Sequence, residues 1–209
     1  MPFKIISALG DSITQGAFDE SGLGWFGRLT QKVAAHSLAN SGYTFCSHNM
    51  SLSGDRICDA YHRFAPECLT RDIDILIINI GCNDLVRRGA PDAPMDLSIG
   101  LRAEYWNWLL DMAIKNIPTV LVLDILPIRE ETDETDEDDI YEWNKDIKEY
   151  NDQIAQLCAA RNIPFIRRFE KWEKRNLADY YVDYGHPNGA GHQLIADEIY
   201  AELEKLKII

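Results

Sequence analysis

Positive charge is what this sequence lacks most. Its 21 lysines and arginines stand against 34 aspartates and glutamates, a formal net charge of −13. Nucleic acids and anionic membranes are polyanions, so neither is expected as a partner, and neutral or cationic small molecules are the easier substrates. No stretch reaches the run of about 18 apolar residues that a membrane helix requires, so no membrane insertion is expected. The five cysteines, Cys46, Cys58, Cys68, Cys82 and Cys158, are odd in number and show no paired C-x-x-C spacing. That pattern offers no zinc or redox motif and reads as reduced, buried thiols. The start, "MPFKIISALG", has a single lysine, a short apolar stretch and no small-residue cleavage site. It does not read as a signal peptide, and a cytoplasmic location is the expectation. Neither an internal repeat nor a Pro/Gly/Ser-rich linker divides the chain, so one domain over 1–209 is expected, with 46% hydrophobic residues to fill its core.

What is present is a regular alternation. Five short apolar runs rich in β-branched residues, "FKIISAL", "YTFCSHNM", "DILIINIG", "TVLVLDIL" and "IPFIRRF", are separated by segments of helical periodicity. Near-continuous apolar strands alternating with helices predict a parallel sheet covered on both faces. Helices are predicted at 24–38, 57–68, 96–116, 140–161 and 189–206. The last carries Leu194, Ile195, Ile199, Leu203 and Leu206 on one stripe, the spacing of a helix packed on a sheet. The acidic run "EETDETDEDD", 130–139, reads as a solvated loop leading into the helix at 140, where acids favour the positive end of the helix dipole. A calcium loop would need alternating acids and a turn glycine, which are missing.

Ligands of open parallel sheets bind at the carboxyl ends of the strands, where loops converge and helix N-termini present N–H groups. Gly10-Asp11-Ser12 follows the first strand, Ser53-Gly54-Asp55 the second and Gly81-Cys82-Asn83-Asp84 the third; Asp183 and His186 stand just before the last helix. Each fragment alone has a structural explanation as a turn or a cap. A second D-x-x-H, Asp59 and His62, falls in a predicted helix. His186 is preferred because Pro187 and Asn188-Gly189 set it on a loop beside a helix start.

Together the fragments supply every part of an acyl-transfer site. A serine hydroxyl needs a base to take its proton, and the imidazole of His186 suits that task near neutrality. Asp183 would fix the tautomer of His186 and stabilise the imidazolium. Charge gathering on the carbonyl oxygen needs donors, each worth about 3 kcal/mol. The backbone N–H groups of Ser12 and Gly54 and the amide of Asn83 are suitable.

On these residues the chain resembles the SGNH hydrolases, the GDSL-type esterases and lipases, almost end to end. Gly10-Asp11-Ser12 with Gly16, then Gly54, then Gly81-x-Asn83-Asp84, then Asp183-x-x-His186-Pro187 match the four blocks of that family in order. The resemblance implies a three-layer α/β/α, flavodoxin-like fold with a five-stranded parallel sheet. It also implies serine-dependent ester hydrolysis without cofactor or metal, with Ser12, Gly54, Asn83 and His186 as defining residues and Asp183 completing the triad. Ile13 stands where the family's nickname has leucine. The G-x-S-x-G elbow of the other large esterase group is excluded, because Thr14 occupies its second glycine position. Roughly 85–160 carries no family block, so lid and pocket are not transferred.

Two readings compete. A binding module would have little reason to hold serine, asparagine, aspartate and histidine at all these places. A metal-dependent hydrolase built on Asp183, His186 and His192 matches no common helical ligand spacing. Within the enzyme reading, small neutral esters and acetylated sugars stand beside lysophospholipids and acyl thioesters. Acids in the loop at 127–139, expected on the same edge of the sheet, would repel anionic esters and favour the neutral ones. Trp25 is either a pocket aromatic or a packing residue, and Cys82 is expected as an inert thiol near the site.

Overall fold

A computed structural model describes residues 3–40, 44–130 and 140–209. In chain order the elements begin with β1 (Phe3–Gly10), a one-turn α1 (Ser12–Gln15), α2 (Gly24–Asn40), β2 (Thr44–Asn49), α3 (Ile57–Cys68) and β3 (Ile75–Asn79). They continue with β4 (Arg87–Arg88), α4 (Ile99–Asn116), β5 (Thr119–Leu123), β6 (Ile140–Tyr141), α5 (Asn144–Ala159), β7 (Phe165–Ile166), α6 (Phe169–Trp172) and α7 (Gly189–Lys205).

Period-two alternation along the strands builds two cores. Leu9, Leu76, Ile78, Val120 and Val122 point to one face, where Phe64 of α3, Trp106 and Leu109 of α4 and Ile154 of α5 cover them. Ile6, Ala8, Ile75, Ile77, Leu121 and Leu123 point to the other, against Trp25, Leu29 and Val33 of α2 and Ile195, Ile199 and Leu203 of α7. β3 is buried on both faces throughout, which is why it is apolar from Ile75 to Ile78 and turns polar only at its last residue, Asn79. The result is three layers, α/β/α. The central sheet has five strands, all parallel, in the order β2-β1-β3-β5-β7.

That order reverses direction between β1 and β3, and loops leaving neighbouring strands there diverge to opposite faces and open a crevice at the strand ends. Gly10 pairs with Asn79 at this point, so the segments that follow β1 and β3 begin side by side.

Two predicted helices start later than the periodicity suggests. The helix predicted from 96 begins at Ile99, because Asp96 N–H donates to Val86 O (2.8 Å) and Leu97 N–H to Asp84 O (3.2 Å). This holds 96–97 extended until Ser98 caps α4 through the Leu101 N–H. The helix predicted from 140 begins at Asn144, because Ile140 and Tyr141 pair antiparallel with Arg88 and Arg87. Most of the acidic run lies outside the described residues. With α5 starting at 144, its acids do not occupy the first helical turn. The last strand also contracts, from the predicted run at 163–169 to Phe165–Ile166. No helix among the described residues is long and apolar enough to cross a membrane.

Candidate active site

The turn after β1 is shaped by its neighbours. A Cβ on Gly10 would lie 2.3 Å from the Asn79 carbonyl oxygen, so only glycine lets β1 and β3 end this close together. Asp11 then caps α1, its carboxylate accepting the Ile13 N–H at 3.0 Å. This sets Ser12 on the first helical position, where its own N–H has no intrahelical acceptor. Gly16 closes the turn with φ 93° and returns its N–H to the Ser12 and Ile13 carbonyls.

The loop before α7 is folded back on itself. Val182 N–H donates to His186 O (2.9 Å) and Asn188 N–H to Tyr180 O (2.8 Å), while Asn188 caps α7 by accepting the Gly191 N–H. Inside the loop, Asp183 Oδ1 accepts the backbone N–H groups of Gly185 (2.8 Å) and His186 (2.7 Å). Its Oδ2 lies 2.7 Å from His186 Nδ1. Burial alone would raise the Asp183 pKa, but the His186 ring and the two backbone donors outweigh it and hold the carboxyl at about 2. An ionised carboxylate only accepts, so Nδ1 of His186 carries a proton and, in the neutral ring, Nε2 offers its lone pair. That nitrogen lies 3.0 Å from Ser12 Oγ. Burial pushes the His186 pKa down; the bond and charge of Asp183, with Asp11 and Glu142 adding, more than reverse this and raise it above 6.5.

Gly54 and Asn83 arrive from the next two strand ends. Leu52 N–H donates to Gly10 O (3.1 Å) and Ser53 N–H to Gln15 Oε1 (2.8 Å), tying the β2–α3 loop to the Ser12 turn. Gly54 itself is exposed, with φ 84°, a conformation few other residues accept. Asn83 sits in a 3₁₀ turn, Cys82–Asp84, and donates one amide hydrogen to Asp55 O at 2.9 Å. The second amide hydrogen is left over. All five residues singled out in the sequence, Ser12 at the start of α1, Asn83 in its 3₁₀ turn, and Gly54, Asp183 and His186 on loops, thus lie at one edge of the sheet.

The other candidates fall elsewhere. Asp59 accepts from Arg56 at 3.0 Å, and His62 is exposed, its ring 5.3 Å from that of Tyr61. Trp25 is fully buried, so it is a packing residue and not a pocket wall. His192 accepts the Trp25 N–H at Nδ1 (3.2 Å) and, in that tautomer, donates from Nε2 to Ala17 O (3.1 Å). Both its ring nitrogens are therefore committed to backbone. Among the described residues no group of three metal-ligating side chains comes together.

Several roles around the site escaped the sequence reading, some of them at residues it had already quoted. Asp84 caps α3 from another element, accepting the Ile57 N–H (3.0 Å) and the Tyr150 hydroxyl (2.6 Å). Burial, opposed by those bonds, pushes its pKa to about 7. Cys82 donates its thiol to Asp11 Oδ2 at 3.1 Å, and burial keeps that thiol protonated. Glu142, just after β6, is raised to about 7 by burial against the opposing bond to Tyr184 and the charge of His186. Phe18, exposed and at φ 61°, sets its ring 5.0 Å from that of His186. The caps of Asp11 and Asp84 had a readable signal, an acid beside a turn; for Glu142 and Phe18 the sequence offered none.

Three layers, a sheet that reverses direction at β1/β3 and polar loops gathered at that point define an SGNH-type hydrolase. The chain belongs to the GDSL-like Lipase/Acylhydrolase family, which it matches over residues 8–194, and so to the carboxylic ester hydrolases. Its fold is shared with the acetyl xylan esterase AlAXEase (TM-score 0.73, 22% identity, 95% of this chain and 99% of that one). The acetylxylan esterase Axe2 of Geobacillus stearothermophilus is similar (TM-score 0.75, 16% identity, 96% and 94%). So is a lipase/acylhydrolase of Enterococcus faecalis (TM-score 0.71, 21% identity, 97% and 96%). At these identities the likeness is one of fold. No curated protein sequence matches the chain.

Proposed function

We propose that this protein is a serine esterase that cleaves small neutral carboxylic esters, acetylated sugars among them, through an acyl-enzyme. Ser12 is the nucleophile, His186 the general base and then acid, and Asp183 the residue that orients the ring. The observation that carries this reading is the continuous chain from Asp183 Oδ2 to His186 Nδ1 (2.7 Å) and from His186 Nε2 to Ser12 Oγ (3.0 Å). As Oγ attacks the ester carbonyl, its proton passes to Nε2, and the oxygen's negative charge is received by the N–H groups of Ser12 and Gly54 and the amide of Asn83. Collapse expels the alcohol with the proton from Nε2. Water then repeats the sequence to release the acid and restore Ser12.

The net charge of −13 favours neutral esters over phospholipids or acyl-CoA. The acetyl xylan esterases that share the fold make acetylated sugars the first class to assay. The five cysteines are free, though only Cys68 and Cys158 are buried as expected while Cys46 is exposed and Cys58 and Cys82 partly buried, and free thiols suit a reducing compartment such as the cytoplasm. The test is a panel of chromogenic esters graded in acyl length, run beside acetylated sugars, for wild type and Ser12→Ala. Turnover of short neutral esters that Ser12→Ala abolishes is expected; equal rates in the two proteins would overturn the assignment.

A further inference from the structure

Phe18 is held in a position that packing alone does not explain. The residue is 58% exposed, yet its ring lies 5.0 Å from the His186 ring with the planes 60° apart. Its backbone is in the left-handed region, at φ 61°, which a bulky side chain rarely adopts unless the surroundings impose it. Here they do. On one side, Ala17 N–H donates to Ser12 O (2.9 Å) and Ala17 O accepts from the buried His192 (3.1 Å). On the other, the buried Asp19 carboxylate accepts the Gly24 N–H (2.8 Å) and the Arg28 guanidinium (2.9 Å). Both neighbours are anchored in the interior, and the aromatic ring between them stands in solvent against the imidazole.

The chemistry of the site says what meets that ring. The carbonyl oxygen of a bound ester faces Ser12 N–H, Gly54 and Asn83. The alcohol oxygen has to face His186 Nε2, because that nitrogen returns the proton to the leaving group. A side chain packed on the imidazole therefore borders the alcohol and not the acyl group. Phenylalanine has no hydrogen-bonding atom; what it offers is a flat π face of negative potential, which suits the C–H-bearing face of a saturated ring. A pyranose presents such a face and is uncharged, so the acidity of the protein does not oppose it.

We propose that Phe18 is a specificity residue for the alcohol side of the ester, receiving the apolar face of a ring-shaped leaving group such as an acetylated pyranose. The proposal rests on the serine esterase reading and adds the substrate half on which selection acts.

The test compares kcat/KM for two neutral triacetates, methyl tri-O-acetyl-β-xylopyranoside and glyceryl triacetate, in wild type, Phe18→Ala, Phe18→Leu and Phe18→Trp. The ratio of ring to open-chain ester is expected to fall about fivefold or more in Phe18→Ala, mainly through KM, and to return in Phe18→Trp. Phe18→Leu keeps apolar bulk without the flat face and is expected to lose the ratio as well. An unchanged ratio in folded Phe18→Ala overturns the proposal, whether both rates hold or both fall together. A shifted pH midpoint with a constant ratio also overturns it, since the ring would then act on the imidazole. Failure of the underlying reading looks different: wild type would turn over neither triacetate faster than Ser12→Ala does.

Discussion

Asn83 gives one amide hydrogen to the carbonyl oxygen of Asp55 at 2.9 Å, so the 3₁₀ turn that follows β3 is latched to the residue after Gly54. The latch fixes the amide plane, and the remaining hydrogen is available without reorganisation when charge develops on a substrate oxygen. Asn83→Ala is expected to lower kcat on a short acetate ester by about a hundredfold or more, with KM changed far less. Steady-state kinetics check this. A loss confined to KM would mean that the amide binds substrate and not the transition state.

If His186 is the general base proposed above, the acid limb of the pH profile is expected to report its titration. The ring accepts the Ser12 proton only when neutral, and the Asp183 carboxylate, overcoming burial, raises its pKa above 6.5. The midpoint of kcat/KM against pH is therefore expected above 6.5 in wild type and lower in Asp183→Asn, where the anion is gone. The plateau of that variant should fall by roughly a thousandfold or more. The stability that Asp183 itself adds is present above the ordinary carboxyl value of 3.8 and is lost only as pH falls through about 2. Acid loss of activity near neutrality is thus expected from the imidazole and not from unfolding at Asp183.

His192 affects stability with the same sign as Asp183, but from a higher pH, because its ordinary value is 6.5 and not 3.8. Burial depresses its folded pKa below 6.5, against the opposing bond to Ala17. Its contribution is complete above 6.5, where the unfolded chain is also neutral, and is lost as pH falls through the depressed folded value. His192→Ala should cost about 3 kcal/mol, because the Trp25 N–H and the Ala17 carbonyl lose a buried partner. Urea denaturation is expected to show that loss above pH 6.5 and a shallower acid decline than wild type. Equal pH slopes in the two proteins would contradict it.

Two glycines should respond in opposite directions. Gly10→Ala places a methyl 2.3 Å from the Asn79 carbonyl oxygen, a backbone atom that cannot step aside. A loss of about 3 kcal/mol is expected, with the Ser12 turn displaced as well. Gly100 lies exposed in α4 with no atom within 4 Å of an added Cβ. There alanine should add about 0.5–1 kcal/mol of stability. Chemical denaturation of both variants decides.

The fold was legible where burial dictates composition. β3 has to be apolar from Ile75 to Ile78 and reads so, and of the stripe expected on α7, Ile195, Ile199 and Leu203 lie in the core, with Leu194 partly buried and Leu206 exposed past the helix end. Legibility failed where a segment is held by partners distant in sequence. Ile140 and Tyr141 fit the helical periodicity that continues through Ile147 and Tyr150, and only pairing with Arg87 and Arg88 makes them a strand. Ser12, Gly54, Asn83, Asp183 and His186 could be singled out because each is a small or polar residue that follows a strand's carboxyl end or stands just before a helix. Phe18 and Glu142 could not, since an aromatic or an acid on a loop is ordinary until its distance to the imidazole is known.

The central claim is that Ser12 Oγ is the nucleophile. The most direct measurement is covalent capture: incubation with an activated phosphonate ester, followed by intact mass and peptide mapping. A single adduct on the peptide bearing Ser12, absent from Ser12→Ala and slowed in His186→Ala, is predicted. An adduct on another residue, or full labelling of Ser12→Ala, would contradict the account.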